Sequence, residues 1–154
     1  MIKIKVVCVG KIKDAYLETG IKEYLKRLSS YAKVEIIEVK DEKIDNEEKV
    51  KDIEGKRIIE KLSKDYYTIL LDLHGKQYTS EGFAKFTQDL IDRGTGNFCF
   101  VIAGSLGYSS EVLKYANFRL SLSEMTFTHQ MTRLLLLEKI YRVFKINNNE
   151  IYHK

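Results

Sequence analysis

The six residues "THQMTR" open the long apolar helix near the end of the chain, and they put an imidazole and a guanidinium four positions apart. At ~100° per residue, Leu134, Leu136, Leu137, Ile140, Tyr141, Val143 and Phe144 cover one broad side of that helix. Arg133 projects near the middle of the same side. Burying an unpaired charge is very costly, so this arginine must meet a carboxylate, a phosphate or a carbonyl. Either it makes a structural ion pair or, from the first helical turn, it reaches a pocket mouth. Thr128, His129 and Gln130 occupy the helix start, where unused backbone N–H groups favour an anionic ligand. Lys139, Arg142 and Lys145 fall on the opposite side with Leu135 among them. A second contact such as a dimer partner explains that leucine, although a singly exposed leucine is ordinary.

Several other chemistries are excluded by spacing. "AGSLG" does not satisfy the dinucleotide pattern GxGxxG, and "VGKIKD" is not a phosphate-binding P-loop. His74, His129 and His153 are scattered with no ligand spacing, which argues against a metal site. There is no GxSxG nucleophile elbow, and Cys8 and Cys99 lie in apolar runs as plain core residues. Asp72 and Glu124 read as loop carboxylates.

The elements that must hold these groups alternate. Strand-like runs are "IKIKVVCVG", "VEIIEVK", "YYTILLDLHG", "NFCFVIAGS" and "FRLSLS", several of them apolar enough to be covered on both faces. Helical spacing links Leu17, Ile21, Tyr24, Leu25 and Leu28, and again Phe83, Phe86, Leu90 and Ile91 after Ser80, a candidate N-cap. "SSEVLKYA" fits a short helix. The charged run from Lys40 to Arg57 reads as a loop entering a solvated helix, with Val50, Ile53, Ile58 and Leu62 as its apolar side. The reading is an α/β fold, a mainly parallel sheet flanked by helices, in one domain over residues 1–154. Ligands of such sheets bind outside the carboxyl ends of the strands. Here that means the loops "LHGKQ", "AGSLGY" and "SEMTFTHQ", in which Gly75, Gly104 and Gly107 permit tight turns and close backbone approach.

Composition narrows the setting. The net charge of +4 permits an RNA partner without demanding one. No segment approaches the ~20 apolar residues of a membrane span, and "MIKIKVVCVG" alternates like a strand rather than a signal peptide. The absence of any CxxC motif or disulfide framework fits a reducing, cytoplasmic location. There is no proline at all.

The chain resembles the RlmH family of small SPOUT-class methyltransferases of the bacterial ribosome. The similarity runs from "VVCVGKIK" through "GIKEYLKRL", "EIIEV", "LLDLHGK", "FVIAGSLG" and "SLSEMTFTHQMTRLLLLEKIYRVFKI" to the terminal "YHK". The resemblance implies a C-terminal trefoil knot, a homodimer, S-adenosylmethionine (SAM) as cofactor, and methylation at N3 of a pseudouridine in 23S rRNA of the assembled 70S ribosome, with no membrane and no metal. It places Leu71, Ala103 and Gly104 against the cofactor, together with the knot loop of Leu122, Ser123, Glu124, Met125, Thr126 and Phe127. His129 and Arg133 match the segment after that loop. Tyr152 and His153 match a tail that, the resemblance implies, completes the site across the dimer. Three positions depart from the family pattern: Ala103 replaces the first glycine of a Gly-Gly pair, Thr128 replaces a proline and so loosens a fixed turn, and Ile151 replaces a proline before Tyr-His.

The imide N3–H of pseudouridine is a poor nucleophile while protonated, so a base or anion stabilisation assists its methylation. His153 and His129 are the candidate bases, and Arg133 or Arg142 the candidate anion or phosphate contacts. Tyr152 offers a ring on which a base can stack. Two other readings remain at this stage: a divergent paralogue that binds RNA or ribosome with weak, altered or no methyl transfer, and a flavodoxin-like small-ligand protein suggested by the sheet pattern alone. The tail is expected to matter for catalysis and barely for stability.

Overall fold

The computed structural model describes residues 1–152 and contains five parallel strands and five helices among them. The strands are β1 (Ile2–Val9), β2 (Ala32–Val39), β3 (Tyr67–Lys76), β4 (Asn97–Ile102) and β5 (Phe118–Leu120). They form one sheet in the order β2-β1-β4-β3-β5, and every pairing is parallel. The helices are α1 (Ala15–Leu28), α2 (Glu47–Ile59), α3 (Ser80–Asp92), α4 (Ser110–Leu113) and α5 (His129–Asn147).

Alternation along β1 shows how the layers arise. Ile4, Val6 and Cys8 point to one face, where they join Ile21 of α1, Phe83 of α3 and Leu136, Leu137 and Ile140 of α5. Val7 and Val9 point to the other face, with Ile58 of α2 and Val112 of α4. A strand apolar on both faces therefore has a helix layer on each. Cys8 and Cys99 are core residues, and burial pushes their thiols up to about 12 and about 11. They stay protonated and unreactive near neutrality.

Three local expectations change. The N-cap of α3 is Thr79, which accepts from the Gly82 N–H; Ser80 is already helical. Helix α2 buries Val50 and Ile58 as expected, but also Glu54 and Gly55. A Cβ on Gly55 would collide with Ser109 Oγ, so the small residue lets α2 approach α4. Thr128 keeps φ at −60°, close to the value that proline itself would set. Its hydroxyl also caps α5 by accepting from the Met131 N–H at 3.2 Å. The loss of the ring is thus offset by a cap that proline does not provide.

Strand β3 has an irregularity with consequences for the site. Leu120 of β5 pairs with Leu71 and again with Lys76. Residues 72–75 therefore swing out and rejoin the same residue of the neighbouring strand, and the Ser121 N–H donates to the Lys76 carbonyl at 3.0 Å. Gly75 lies so close that a Cβ there would come 2.7 Å from the Arg119 carbonyl oxygen and 2.8 Å from the Leu120 nitrogen. Only glycine fits against that backbone.

Candidate functional site

All strands run the same way, so their carboxyl ends share one rim. Three loops meet there beyond β3, β4 and β5. Tyr108 ties two of the strands together: its hydroxyl shares its one proton between the carbonyls of Leu71, at 2.6 Å, and Val101, at 2.8 Å. Burial holds this phenol above its ordinary pKa, so it remains a donor. The loop after β4 then turns tightly, with the Gly107 N–H bonded to the Gly104 carbonyl at 3.0 Å and Gly107 at φ +89°. Sequence reasoning missed Tyr108, whose only signal was its position just after that glycine.

Gly104 sits in a cradle. A Cβ there would lie 2.8 Å from Glu54 Oε1 and 3.3 Å from Val9 Cγ1. Ala103 and Gly104 are half-buried, as is Leu71. The loop after β5 is stitched internally: Ser121 Oγ donates to the Ser123 carbonyl at 2.9 Å, and Ser123 Oγ accepts from the Met125 N–H at 3.0 Å. Glu124, Met125, Thr126 and Phe127 are exposed, while Leu122 and Ser123 are half-buried. The rim presents apolar side chains to solvent: Leu73 in the irregular stretch of β3, Leu106 after β4, and Met125 and Phe127 after β5.

The candidate catalytic residues separate into two groups. His129 and Arg133 lie over the ends of β1 and β2. Arg133 is 2 % exposed and ion-pairs through Nη1 with Glu38, while Nη2 donates to the Gly10 carbonyl at 3.0 Å. Of the two fates open to it in the sequence, the structure shows the ion pair, and Arg133 is not at a pocket mouth. His129 Nε2 lies beside Gly10, 3.9 Å from where a Cβ would stand. Burial first, then the charge of Arg133, holds its pKa below the ordinary value; Lys13 adds to the fall and Asp41 opposes it. Neutral at physiological pH, it has a lone pair to accept a proton.

Arg142 and Tyr152 form the second group. Between His129 and Arg142 the helix rises by about 20 Å at ~1.5 Å per residue, so the two groups are separate within one chain. Arg142 helps to line a cavity of about 300 Å³ with Tyr78, Thr79, Ser121, Leu122 and Lys139. Its guanidinium lies over the Tyr152 ring at 4.9 Å and pairs with Glu138 at 3.1 Å. Burial disfavours the charge of Glu138, but Lys139, Arg142 and the Tyr152 hydroxyl more than offset it. The tail reaches this place by turning back at Asn149, which adopts φ +55°, a left-handed conformation that asparagine tolerates. Glu150 then accepts from Lys145 and from the Tyr31 hydroxyl, both at 2.8 Å. Tyr152 packs edge-on against Tyr141 at 4.9 Å, with its hydroxyl 3.1 Å from that of Tyr24. Tyr152 is thus packed against the end of α5, where the sequence reading expected a tail that barely matters for stability. His153 and Lys154 lie outside the described residues.

Comparison with known proteins adds to this geometry. Residues 2–153 match the family described as "Predicted SPOUT methyltransferase". The chain is 53% identical, over 98% of its length and 99% of the relative's, to a protein of Clostridioides difficile named "Ribosomal RNA large subunit methyltransferase H". Proteins of the same name from Halothermothrix orenii and Bacillus cytotoxicus are each 51% identical, covering 99% and 98% of this chain and 99% of their own.

Proposed function

This chain belongs to the SPOUT methyltransferase family, in its RlmH group, and we propose that it transfers a methyl group from SAM to N3 of a pseudouridine in 23S rRNA of the assembled ribosome. Identity of about half over the full length supports methyl transfer to large-subunit rRNA, and not a binding-only paralogue. The observation that carries the cofactor reading is the double pairing of Leu120 with Leu71 and Lys76. It brings both Leu71 and Lys76 of β3 against the strand that leads into Leu122–Phe127, and this supports the knotted cofactor cleft that the family implies. One SPOUT domain spanning residues 1–154, working in the bacterial cytoplasm, fits that substrate.

SAM supplies a methyl group already activated on a sulfonium. The protein must hold the ligand and the nucleotide in line. Backbone groups at Leu71, Ala103 and Gly104 and the loop of Leu122 to Phe127 hold the ligand, with Leu71 fixed by Tyr108. The nucleotide approaches the cavity lined by Leu122 and Arg142, where the guanidinium stabilises the N3 anion or a phosphate. His129 or His153 takes the proton, and Arg133 positions His129 through the Glu38 and Gly10 contacts. The separation of His129 from Tyr152 along α5 favours a homodimer in which one protomer's tail completes its partner's site. The half-buried Leu135 and the exposed Tyr16, Met125 and Phe127 supply apolar surface for that dimer.

The deciding experiment is mass spectrometry of 23S rRNA from a strain lacking the protein, before and after complementation. Loss and recovery of one N3-methylpseudouridine is expected; an unchanged modification map overturns the reading. Sedimentation should give a dimer at micromolar concentration, and a species of only 18.0 kDa would remove the composite site. Deleting Tyr152 to Lys154 should abolish transfer to ribosomes while SAM affinity stays within about twofold, with roughly 1 kcal/mol of stability lost with the Tyr152 packing.

A further inference from the structure

Glu54 is the one carboxyl-bearing side chain buried among the described residues, at 4 % exposure. Only half of it is used. Oε2 accepts from the Glu42 N–H at 3.0 Å, while Oε1 is buried with no hydrogen-bond partner among the described residues. That atom lies directly beneath Gly104. Its neighbour Gly55 presses α2 onto Ser109, so the dipeptide Glu54-Gly55 touches both ends of the segment from Gly104 to Ser109. Helix α2 is thus the floor of the loop after β4. An acceptor left unmatched in such a place is costly, and a donor brought to it recovers that cost.

We propose that Glu54 is the positioning residue of this loop: its Oε1 is an acceptor that residues 104–109 satisfy only in the ligand-bound arrangement, so α2 stabilises the closed loop and not the open one. The inference rests on the reading of this rim as the SAM site. It explains why position 104 carries no side chain, because any Cβ would occupy the space between the loop and the carboxyl. It also links binding to protons. Without a donor at Oε1, burial holds the Glu54 carboxyl above its ordinary range; Asp41 and Glu42 on the adjoining loop push the same way, and the Glu42 N–H and Arg57 oppose them. A donor supplied on closure favours the ionised form, and the proton passes to solvent. Affinity for SAM is therefore full above the raised pKa of the free protein and falls as the pH drops through it.

The test is calorimetric titration of the full chain with SAM between pH 5 and 8, in two buffers of different ionisation enthalpy, with no activity assay involved. Wild-type protein should release a proton on binding at the acidic end and bind more weakly there. E54Q should bind about tenfold more weakly at pH 8, with a flatter profile and less proton release. His129 titrates nearby, so the difference between wild type and E54Q isolates Glu54. If E54Q matches wild type in affinity and proton release, Glu54 is only part of the scaffold and the inference fails, while the methyltransferase reading stands. If wild-type protein does not bind SAM, both fail. Should E54Q not fold, G104A and the double variant G104A/E54D decide: the shorter carboxylate withdraws from the added methyl, so the double variant should recover at least threefold of the affinity lost in G104A. No recovery overturns the inference.

Discussion

Arg133 and Glu54 are the two charged side chains buried among the described residues, and both lie near the carboxyl rim of the sheet. Arg133 sits over β1 and β2 with a counter-charge in direct contact and a carbonyl on its other nitrogen; only Nε lacks a partner. Glu54 sits under the β4 loop with one backbone N–H and no cation bonded to it, because Arg57 is engaged by Glu42 and the Lys40 carbonyl. A buried charge with its counter-ion in place is a strut. A half-matched one leaves its surroundings with something to gain by moving. The contrast assigns rigidity to the α5 start and adjustability to the loop after β4.

The strut is the easier to break. Glu38→Ala leaves the Arg133 guanidinium buried with one carbonyl, and about 3 kcal/mol of unfolding free energy should be lost, read by chemical denaturation. A loss below about 1 kcal/mol would reclassify the pair as an ordinary surface ion pair and end the contrast. Gly75→Ala probes the same rim without any charge. Its Cβ would meet the backbone of Arg119 and Leu120, which cannot rotate aside, so a loss of roughly 2 kcal/mol is expected. A neutral result would mean that residues 72–75 are free to lift away, weakening the double pairing of Leu120. Glu54→Gln should be the mildest of the three in stability, within about 1 kcal/mol of wild type, since an unmatched carboxylate contributes little to the folded state. A fall as large as that of Glu38→Ala would make Glu54 a strut too.

These residues also mark where the sequence could be read and where it could not. The sheet was legible because Val6 to Val9 and Phe98 to Ile102 are buried on both faces, and continuous apolar runs signal that directly. Arg133 was legible as a dilemma: periodicity put it on the apolar side, but Glu38 is 95 residues away in the chain and no local pattern pairs them. Glu54 was hidden. It lies in an acidic and basic run that reads as a solvated face, and the closeness of Gly104 to it is a product of tertiary packing. The double pairing of Leu120 was equally invisible, because one residue pairing with two positions of the same strand has no periodic signature.

The finest comparison concerns protons at the strut. His129 stands beside Arg133, and burial followed by that positive charge depresses its pKa, with Lys13 lowering it and Asp41 raising it. The unfolded chain has the ordinary value of about 6.5. Between that value and the lower folded one, the unfolded state binds a proton that the folded state refuses. Stability is therefore full above the unfolded pKa and declines as the pH falls toward the folded pKa, below which this residue adds no further slope. The thermal midpoint should fall slightly over that window, and His129→Ala should remove this part of the slope. Following the imidazole Cε1 proton by NMR checks the cause: the wild-type midpoint should lie below 6.5, and Lys13→Ala should raise it and Asp41→Asn lower it. A midpoint at or above 6.5 would show that burial and Arg133 together do not depress the imidazole, and would break its link to the strut. A depressed midpoint keeps His129 neutral near neutral pH, with its lone pair available.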